Sequence, residues 1–142
     1  MTAKGEEKFF GEMVWDKQLK WWSGKMGVLP GEDIEIYINC KKDDLDNVIV
    51  SARQIFDKVK SNQCKIKRKV AELLLDIHNE SWNDGEPTSE SEFKEKIRLN
   101  SFAYWPDGDV ELCYVDGGLF WGHTILVFLN NKGIVEDAKL MG

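Results

Sequence analysis

The chain has 142 residues and a formal net charge of −6, from 25 acidic and 19 basic side chains. Its 42% hydrophobic and 31% charged residues indicate a globular domain, which should bury roughly two thirds of the surface of its unfolded chain. The negative charge disfavours nonspecific binding to nucleic acid or to an anionic membrane, and it favours a basic partner. We therefore expect a single domain over residues 1–142.

The three cysteines, Cys40, Cys64 and Cys113, lie far apart and include no Cys-x-x-Cys pair, so they predict neither a disulfide framework nor a zinc site. The charged N-terminus carries no apolar signal segment, and no stretch approaches the ~18 consecutive apolar residues of a membrane span. No Walker loop or Gly-x-Gly-x-x-Gly sequence indicates nucleotide binding. We expect a cytoplasmic protein that binds no metal, cofactor, nucleic acid or membrane.

The N-terminal part is predicted to form three strands. The aromatic segment at residues 9–15 and the Trp pair that follows it predict a first hairpin. Gly24 and Gly27 indicate an interruption or bulge in the second strand. After a turn at residues 29–32, residues 34–39 alternate between two faces, which predicts a half-buried antiparallel strand.

Two amphipathic helices are predicted next. Asp43 or Asp44 can cap a helix whose apolar residues recur at spacings of three and four from Leu45 to Val59. Residues 61–63 break this helix, and a second helix then runs to about residue 82. With so short a connection, the two should pack on the sheet as a helical hairpin. Residues 88–93 carry a capping box for a short third helix.

The rest of the chain is predicted to contain strands at residues 99–105, 110–115, 119–129 and 134–140, separated by turns. The apolar run at 119–129 is interpreted as the central strand. We therefore predict an α+β fold: an antiparallel sheet of about six or seven strands with a helical hairpin and a short third helix on one face, in the order β-β-β-α-α-α-β-β-β-β.

His123 and Thr124 are the only polar side chains between Leu119 and Leu129. An imidazole titrates near neutrality, so His123, with Asp116 or a carboxylate from another strand as its partner, is a candidate general base of a small hydrolase-like enzyme. The alternative is a core histidine bonded to backbone or to a carboxylate. Because neighbouring strand residues point to opposite faces, His123 and Thr124 cannot by themselves form a base and its nucleophile. The structural role is favoured.

Two other candidates are given ordinary interpretations. His78 lies beside the apolar stripe of the second helix and is interpreted as a boundary residue. Lys65, Lys67, Arg68 and Lys69 form a basic cluster, which a solvated helix face explains better than a site for single-stranded nucleic acid, because the molecule as a whole is acidic.

The candidates for partner binding are aromatic and acidic. Trp21, Trp22 and Tyr37 lie on predicted strands, and at least one of the two Trp side chains is expected to face away from the helix-covered core. Asp107 and Asp109 lie in a tight turn. An exposed aromatic residue among acids is typical of a protein-binding hot spot, although the same residues could instead form the seam of a homodimer.

Several segments carry a resemblance to a known family. The most distinctive is Phe120-Trp121-Gly122-His123-Thr124-Ile125, and Asp116-Gly117-Gly118-Leu119 precedes it. The others are Trp15, Trp21-Trp22 with Gly24, the helix pair, Trp105-Pro106-Asp107-Gly108 and residues 138–142. Together they resemble a small bacterial family that is catalogued as a domain of unknown function, in which Ser is more usual than Thr124. Proteins of this kind tend to belong to bacterial accessory genes, where many small acidic cytosolic domains serve as immunity partners of secreted toxins, so the resemblance implies an immunity role.

These observations lead to a ranked set of functions. We place first a non-enzymatic, immunity-type domain that engages a basic partner, such as a toxin, through acidic and aromatic surface. The alternatives are a small hydrolase-like enzyme with His123 as general base, and a homodimeric structural domain.

Overall fold

The computed structural model describes residues 13–29 and 32–141, which form seven strands and three α-helices. The strands are β1 (Val14–Asp16), β2 (Trp21–Leu29), β3 (Glu32–Ile38), β4 (Arg98–Tyr104), β5 (Val110–Val115), β6 (Thr124–Leu129) and β7 (Val135–Met141). The helices are α1 (Leu45–Ser61), α2 (Gln63–Ile77) and α3 (Glu90–Lys96). Phe9 and Phe10 of the predicted first strand, and Pro30 and Gly31 of the predicted turn, lie outside the described residues.

The strands form one sheet in the order β1-β2-β3-β4-β5-β6-β7. Neighbouring strands are antiparallel except β3 and β4, which are parallel because all three helices lie between them in the chain. The predicted α+β fold, with a mostly antiparallel sheet of seven strands, is confirmed. The predicted sheet was antiparallel throughout, whereas β3 is antiparallel to β2 and parallel to β4.

The helices cover one face of the sheet. The apolar stripe of α1 predicted from Leu45 to Val59 is buried, as is a second stripe on α2. One residue, Asn62, joins the two helices; α1 contacts β3, whereas α2 contacts β7 and α3. The strand residues buried on this face are Trp22, Ile34, Ile36, Ile38, Phe102, Tyr104, Val110, Leu112, Tyr114, Ile125, Val127, Leu129 and Ala138.

The ends of the helices follow local side-chain chemistry. At the start of α3, the Ser89 hydroxyl accepts a hydrogen bond from the Glu92 N–H at 3.2 Å, and the Glu92 carboxylate accepts one from the Ser89 N–H at 3.4 Å. This is the predicted capping box. The second helix extends to the predicted limit at Trp82, but its last five residues, His78–Trp82, form a π-helix, a rare geometry that is frequent at functional sites.

The run predicted as the central strand is divided into a loop and a strand. Residues 117–122 are turns, and β6 begins only at Thr124. The strand lies between β5 and β7, next to the edge of the sheet, so its predicted central position is wrong. Its alternation is as predicted, because Ile125 and Val127 point into the core.

The second face of the sheet, here called the open face, has no helix on it within the part of the chain that the structure describes. Register places one row of side chains across all seven strands on this face: Val14, Ser23, Tyr37, Ala103, Glu111, Phe128 and Asp137. A neighbouring row crosses six strands: Lys25, Glu35, Ser101, Cys113, Leu126 and Lys139.

Candidate functional site

The loop from Asp116 to His123 is built around one carboxylate. Asp116 is buried and accepts hydrogen bonds from the backbone N–H groups of Gly118 at 3.1 Å, Phe120 at 2.9 Å and Gly122 at 2.9 Å. Burial alone would raise the pKa of Asp116, but these hydrogen bonds together lower it below its ordinary value of 3.8. Asp116 is therefore an ionised residue that holds the loop in shape.

Glycine is required at the start of this loop. Gly117 has a φ of +61°, and a Cβ at this position would lie 2.3 Å from the backbone carbonyl oxygen of Lys96. Any side chain here would force the loop away from the end of α3. The loop is thus fixed at one end by close packing and along its length by the Asp116 carboxylate.

The middle of the loop enters an aromatic cluster. Leu119 and Phe120 are buried, and the Phe120 ring makes edge contacts with the rings of His78 at 5.4 Å, Trp82 at 5.7 Å and Phe93 at 6.2 Å. His78 and Trp82 come from the π-helix that follows α2, and Phe93 comes from α3. The cluster attaches the loop to the helical layer.

His78 is a core residue, and its interpretation as a boundary residue is wrong. Its side chain is 4% exposed; the Nδ1–H donates to the Leu119 carbonyl at 2.8 Å, and Nε2 accepts from the Thr88 hydroxyl at 3.0 Å. Both ring nitrogens are bonded within the protein. His78 therefore links the loop to the segment before α3.

Trp121 is presented at the surface. Its side chain is 68% exposed, although the two preceding residues, Leu119 and Phe120, are buried. Its φ of +58° lies in the left-handed region, which is costly for a bulky residue and is often found at functional positions. The indole is supported on one side by the Trp82 ring, whose centroid lies 4.7 Å away.

His123 ends the loop and is not paired with Asp116. Its Nδ1–H donates to the Phe120 carbonyl at 2.7 Å, and its ring lies against Trp82 at 5.3 Å. The oxygens of Asp116 are bonded to backbone N–H groups instead. Within the described residues, the two catalytic candidates therefore lack the hydrogen bond by which a carboxylate orients a general base.

The open face brings together two of the aromatic candidates. The rings of Trp21 and Tyr37 stack with centroids 4.6 Å apart, and the Tyr37 hydroxyl donates to the Glu35 carboxylate at 2.5 Å. Burial and this carboxylate raise the pKa of Tyr37 to about 12. A depression of about 410 Å³ beside them is lined by Val14, Ser23, Gly24, Lys25, Glu35 and Tyr37.

Trp22 does not belong to this surface. Its side chain is 2% exposed on the helix-covered face, and its indole N–H donates to the Lys42 carbonyl at 3.2 Å. The expectation that Trp22 contacts a partner is therefore wrong. The expectation that one Trp of the pair faces away from the core holds for Trp21.

The acidic candidates lie at a second depression, of about 350 Å³, on the open face. Asp107 and Asp109 line it, and the Asp107 carboxylate also accepts from the Asp109 N–H at 3.0 Å. The full lining is Trp105, Asp107, Asp109, Val110, Glu111, Phe128, Leu129 and Glu136. Here called the acidic depression, it combines four carboxylates with two aromatic rings.

A lysine of the protein itself contacts one aromatic ring of the acidic depression. The Lys139 amino group lies 5.0 Å from the centre of the Phe128 ring, within the range of a cation–π contact. Phe128, Glu111 and Glu136 were not among the predicted site residues. Strand alternation alone places Phe128 and Glu111 on the open face. Only the register of the strands shows that they lie beside the turn that carries Asp107 and Asp109.

The described residues contain no cluster of three or more His, Cys, Asp or Glu side chains suited to a metal ion. Over the same part of the chain, none of the helices has the length and apolar character needed to cross a membrane. Cys40, Cys64 and Cys113 are free thiols.

Of the comparisons with known proteins, the comparison with family models gives a match. No curated protein and no solved structure matches the chain. A family model described as an uncharacterized protein conserved in bacteria, DUF2262, matches residues 7–140. The match covers nearly the whole chain, including the Asp116–His123 loop and the open face. The chain therefore belongs to the DUF2262 family of bacterial proteins.

Proposed function

We propose that this chain is a non-enzymatic protein-binding domain of the immunity type, which holds a basic partner on the open face of its sheet. The observation that carries the proposal is the acidic depression, where Asp107, Asp109, Glu111 and Glu136 surround the rings of Trp105 and Phe128. Both rings are half-buried, and carboxylates around partly accessible aromatic rings suit a lysine or arginine side chain of a partner.

The charges of the depression are available to a partner. In the part of the chain that the structure describes, none of its four carboxylates takes part in an ion pair with a lysine or arginine. The contact of Lys139 with Phe128 indicates that this ring attracts a cation. An arginine entering from the partner would meet both the ring and the carboxylates, which favours rapid, salt-sensitive association.

The stacked pair of Trp21 and Tyr37 supplies an aromatic anchor on the same face. Trp21 is half-buried, so part of its indole is accessible, and Tyr37 is fixed by its hydrogen bond to Glu35. Rigid aromatic side chains lose little conformational freedom on binding. Tyr37, Glu111 and Phe128 belong to the single row of side chains that crosses the sheet, so the anchor and the depression form one surface.

The alternatives receive less support. A homodimer through the open face would place the acidic depression of one copy against the acidic face of the other, which is unfavourable for like charges. An enzyme with His123 as base lacks an orienting carboxylate within the described residues, because Asp116 is committed to the loop backbone. The cytoplasmic location belongs to the same proposal, since three free thiols fit a reducing compartment.

The test is an affinity capture from the native cells with a charge-neutralised variant of the depression. The variant carries Asp107→Asn, Glu111→Gln and Glu136→Gln. We expect the unmodified chain to retain one basic protein at low salt and release it at high salt, and the variant to bind it roughly tenfold more weakly. Affinity is then measured with the purified partner by calorimetry.

The matched control removes the same three charges elsewhere, through Asp84→Asn, Glu86→Gln and Glu95→Gln, all at exposed positions. Both triple variants have the same net charge, so a difference between them isolates the position of the charges. Equal affinity of the two variants for the partner would contradict the proposal, as would a chain that retains no protein at either salt concentration.

A further inference from the structure

A third depression, of about 430 Å³, lies between α2 and the turn that joins β6 to β7, and it shares no lining residue with the acidic depression. It is lined by Asn62, Lys65, Ile66, Lys69, Lys132, Gly133, Ile134 and Val135. Three of these residues are lysines and none is acidic, in a chain that carries an excess of six acids overall. We call it the lysine pocket.

The lysines come from two distant parts of the chain. Lys65 and Lys69 lie four residues apart on the same side of α2, whereas Lys132 comes from the β6–β7 turn. A solvated helix face accounts for Lys65 and Lys69, but it does not account for the convergence of Lys132 upon them.

The pocket wall formed by the turn is rigid. The Asn130 side-chain oxygen accepts hydrogen bonds from the N–H groups of Lys132 at 2.9 Å and Ile134 at 3.1 Å. Gly133 has a φ of +78°, which suits a tight turn and favours glycine. This geometry fixes Lys132 at the pocket and leaves the Ile134 side chain 58% exposed beside it.

The positive charge of the pocket is poorly compensated from within the protein. Over residues 13–29 and 32–141, Lys65 and Lys132 have no ion pair, and Lys69 has only a 3.5 Å contact with Glu72 in which both side chains are about half exposed. Exposed pairs of this kind contribute little and are easily exchanged. The positive charges of neighbouring lysine amines repel one another, and a bound anion offsets this repulsion.

We infer that the lysine pocket binds a small ligand that carries a phosphate group. Lysine amines are point-charge partners for phosphate, and here three of them line a space of the size that small-molecule sites occupy. The exposed Ile134 and the half-buried Val135 supply apolar surface for the rest of the ligand. The pocket shares no lining residue with the acidic depression, so its ligand can be tested independently of the proposed protein-binding function.

The test is a titration of the full chain with inorganic pyrophosphate, followed by amide NMR at an ionic strength held constant with chloride. We expect saturable shifts confined to residues 62–69 and 132–135, with a dissociation constant of about 1 mM or tighter. The double variant Lys65→Gln with Lys132→Gln should weaken this binding roughly tenfold, whereas Lys65→Arg with Lys132→Arg should retain it.

The matched control is Lys25→Gln with Lys139→Gln, which removes two lysines from the open face and should leave the titration unchanged. Citrate, titrated in the same way, separates phosphate recognition from general attraction of anions and should bind more weakly. The inference is overturned if the shifts do not saturate, if the pocket and open-face variants behave alike, or if citrate binds as tightly as pyrophosphate.

Discussion

The Asp116 carboxylate and the Gly122 backbone N–H are joined by a 2.9 Å hydrogen bond across six residues. The same oxygen accepts the Phe120 N–H, so one side chain organises a loop that otherwise lacks regular structure. The loop presents Trp121 to solvent and ends at His123. Its shape therefore depends on a single buried charge.

Replacing Asp116 by Ala should lower the free energy of unfolding by about 3 kcal/mol, because three backbone donors lose a charged acceptor. Urea denaturation measures this change. Asp84→Ala, which removes an exposed acid, should change stability by no more than about 0.5 kcal/mol. Equal stability of the two variants would contradict the structural role of Asp116.

The contribution of Asp116 should depend on pH with a defined sign. Its pKa is lower in the folded chain than its ordinary value of 3.8, so the ionised form stabilises the fold at pH values above 3.8. This contribution is lost as the pH falls through the folded-state pKa. We therefore expect the stability difference between the unmodified chain and Asp116→Asn to shrink in that acidic range, as measured by urea denaturation at a series of pH values. A difference that stays constant with pH would contradict this prediction.

The parts of the fold that depend on local sequence patterns could be predicted from the sequence. The stripe of α1, the capping box at Ser89 and the exact extent of β5 were all predicted, because burial on one face and local side-chain bonds leave a signature in neighbouring residues. The parallel pairing of β3 with β4 leaves no such signature. It depends on how the three intervening helices return the chain to the sheet.

The candidate site was predicted less well, because its shape also depends on contacts that leave no signature in neighbouring residues. Leu119 to Trp121 are apolar and resemble the start of a strand, but the carboxylate of Asp116 bends them into a loop through bonds to backbone groups, which no pattern of side chains records. Alternation correctly separated Trp21 from Trp22. It did not indicate which of the two the helices would cover.

Trp121 provides a test of backbone strain at the exposed end of the loop. Because its φ is +58°, Trp121→Gly should be more stable than Trp121→Ala by about 1 kcal/mol, the reverse of the usual order for these residues. Thermal and urea unfolding of the two variants measure the difference, and both variants lose the same contact with Trp82. An Ala variant as stable as the Gly variant would contradict the left-handed conformation.

The two adjacent tryptophans should behave very differently when truncated. Trp22→Ala removes a side chain that is 2% exposed and should cost about 3–5 kcal/mol in the free energy of unfolding. Trp21→Ala removes a half-buried ring stacked on Tyr37 and should cost about 1 kcal/mol while weakening partner binding. Calorimetric unfolding and partner titration separate the two effects. The reverse order of stabilities would contradict the assignment of the two faces.

The link between His78 and Thr88 should be a structural coupling that a double-mutant cycle can measure. His78→Phe keeps a ring near Phe120 but removes both hydrogen bonds, and Thr88→Val removes only the hydroxyl that donates to Nε2. Both residues are buried, so each single variant leaves a polar group without its partner. We expect each variant to lose about 1–3 kcal/mol of stability, and the pair to lose less than the sum by about 1 kcal/mol. Ser81→Ala, at an exposed position of the same π-helix, should be additive with Thr88→Val. Additive losses for His78 and Thr88 would mean that their 3.0 Å contact contributes nothing, and His78 would then hold the loop only through the Leu119 carbonyl and the contact with Phe120.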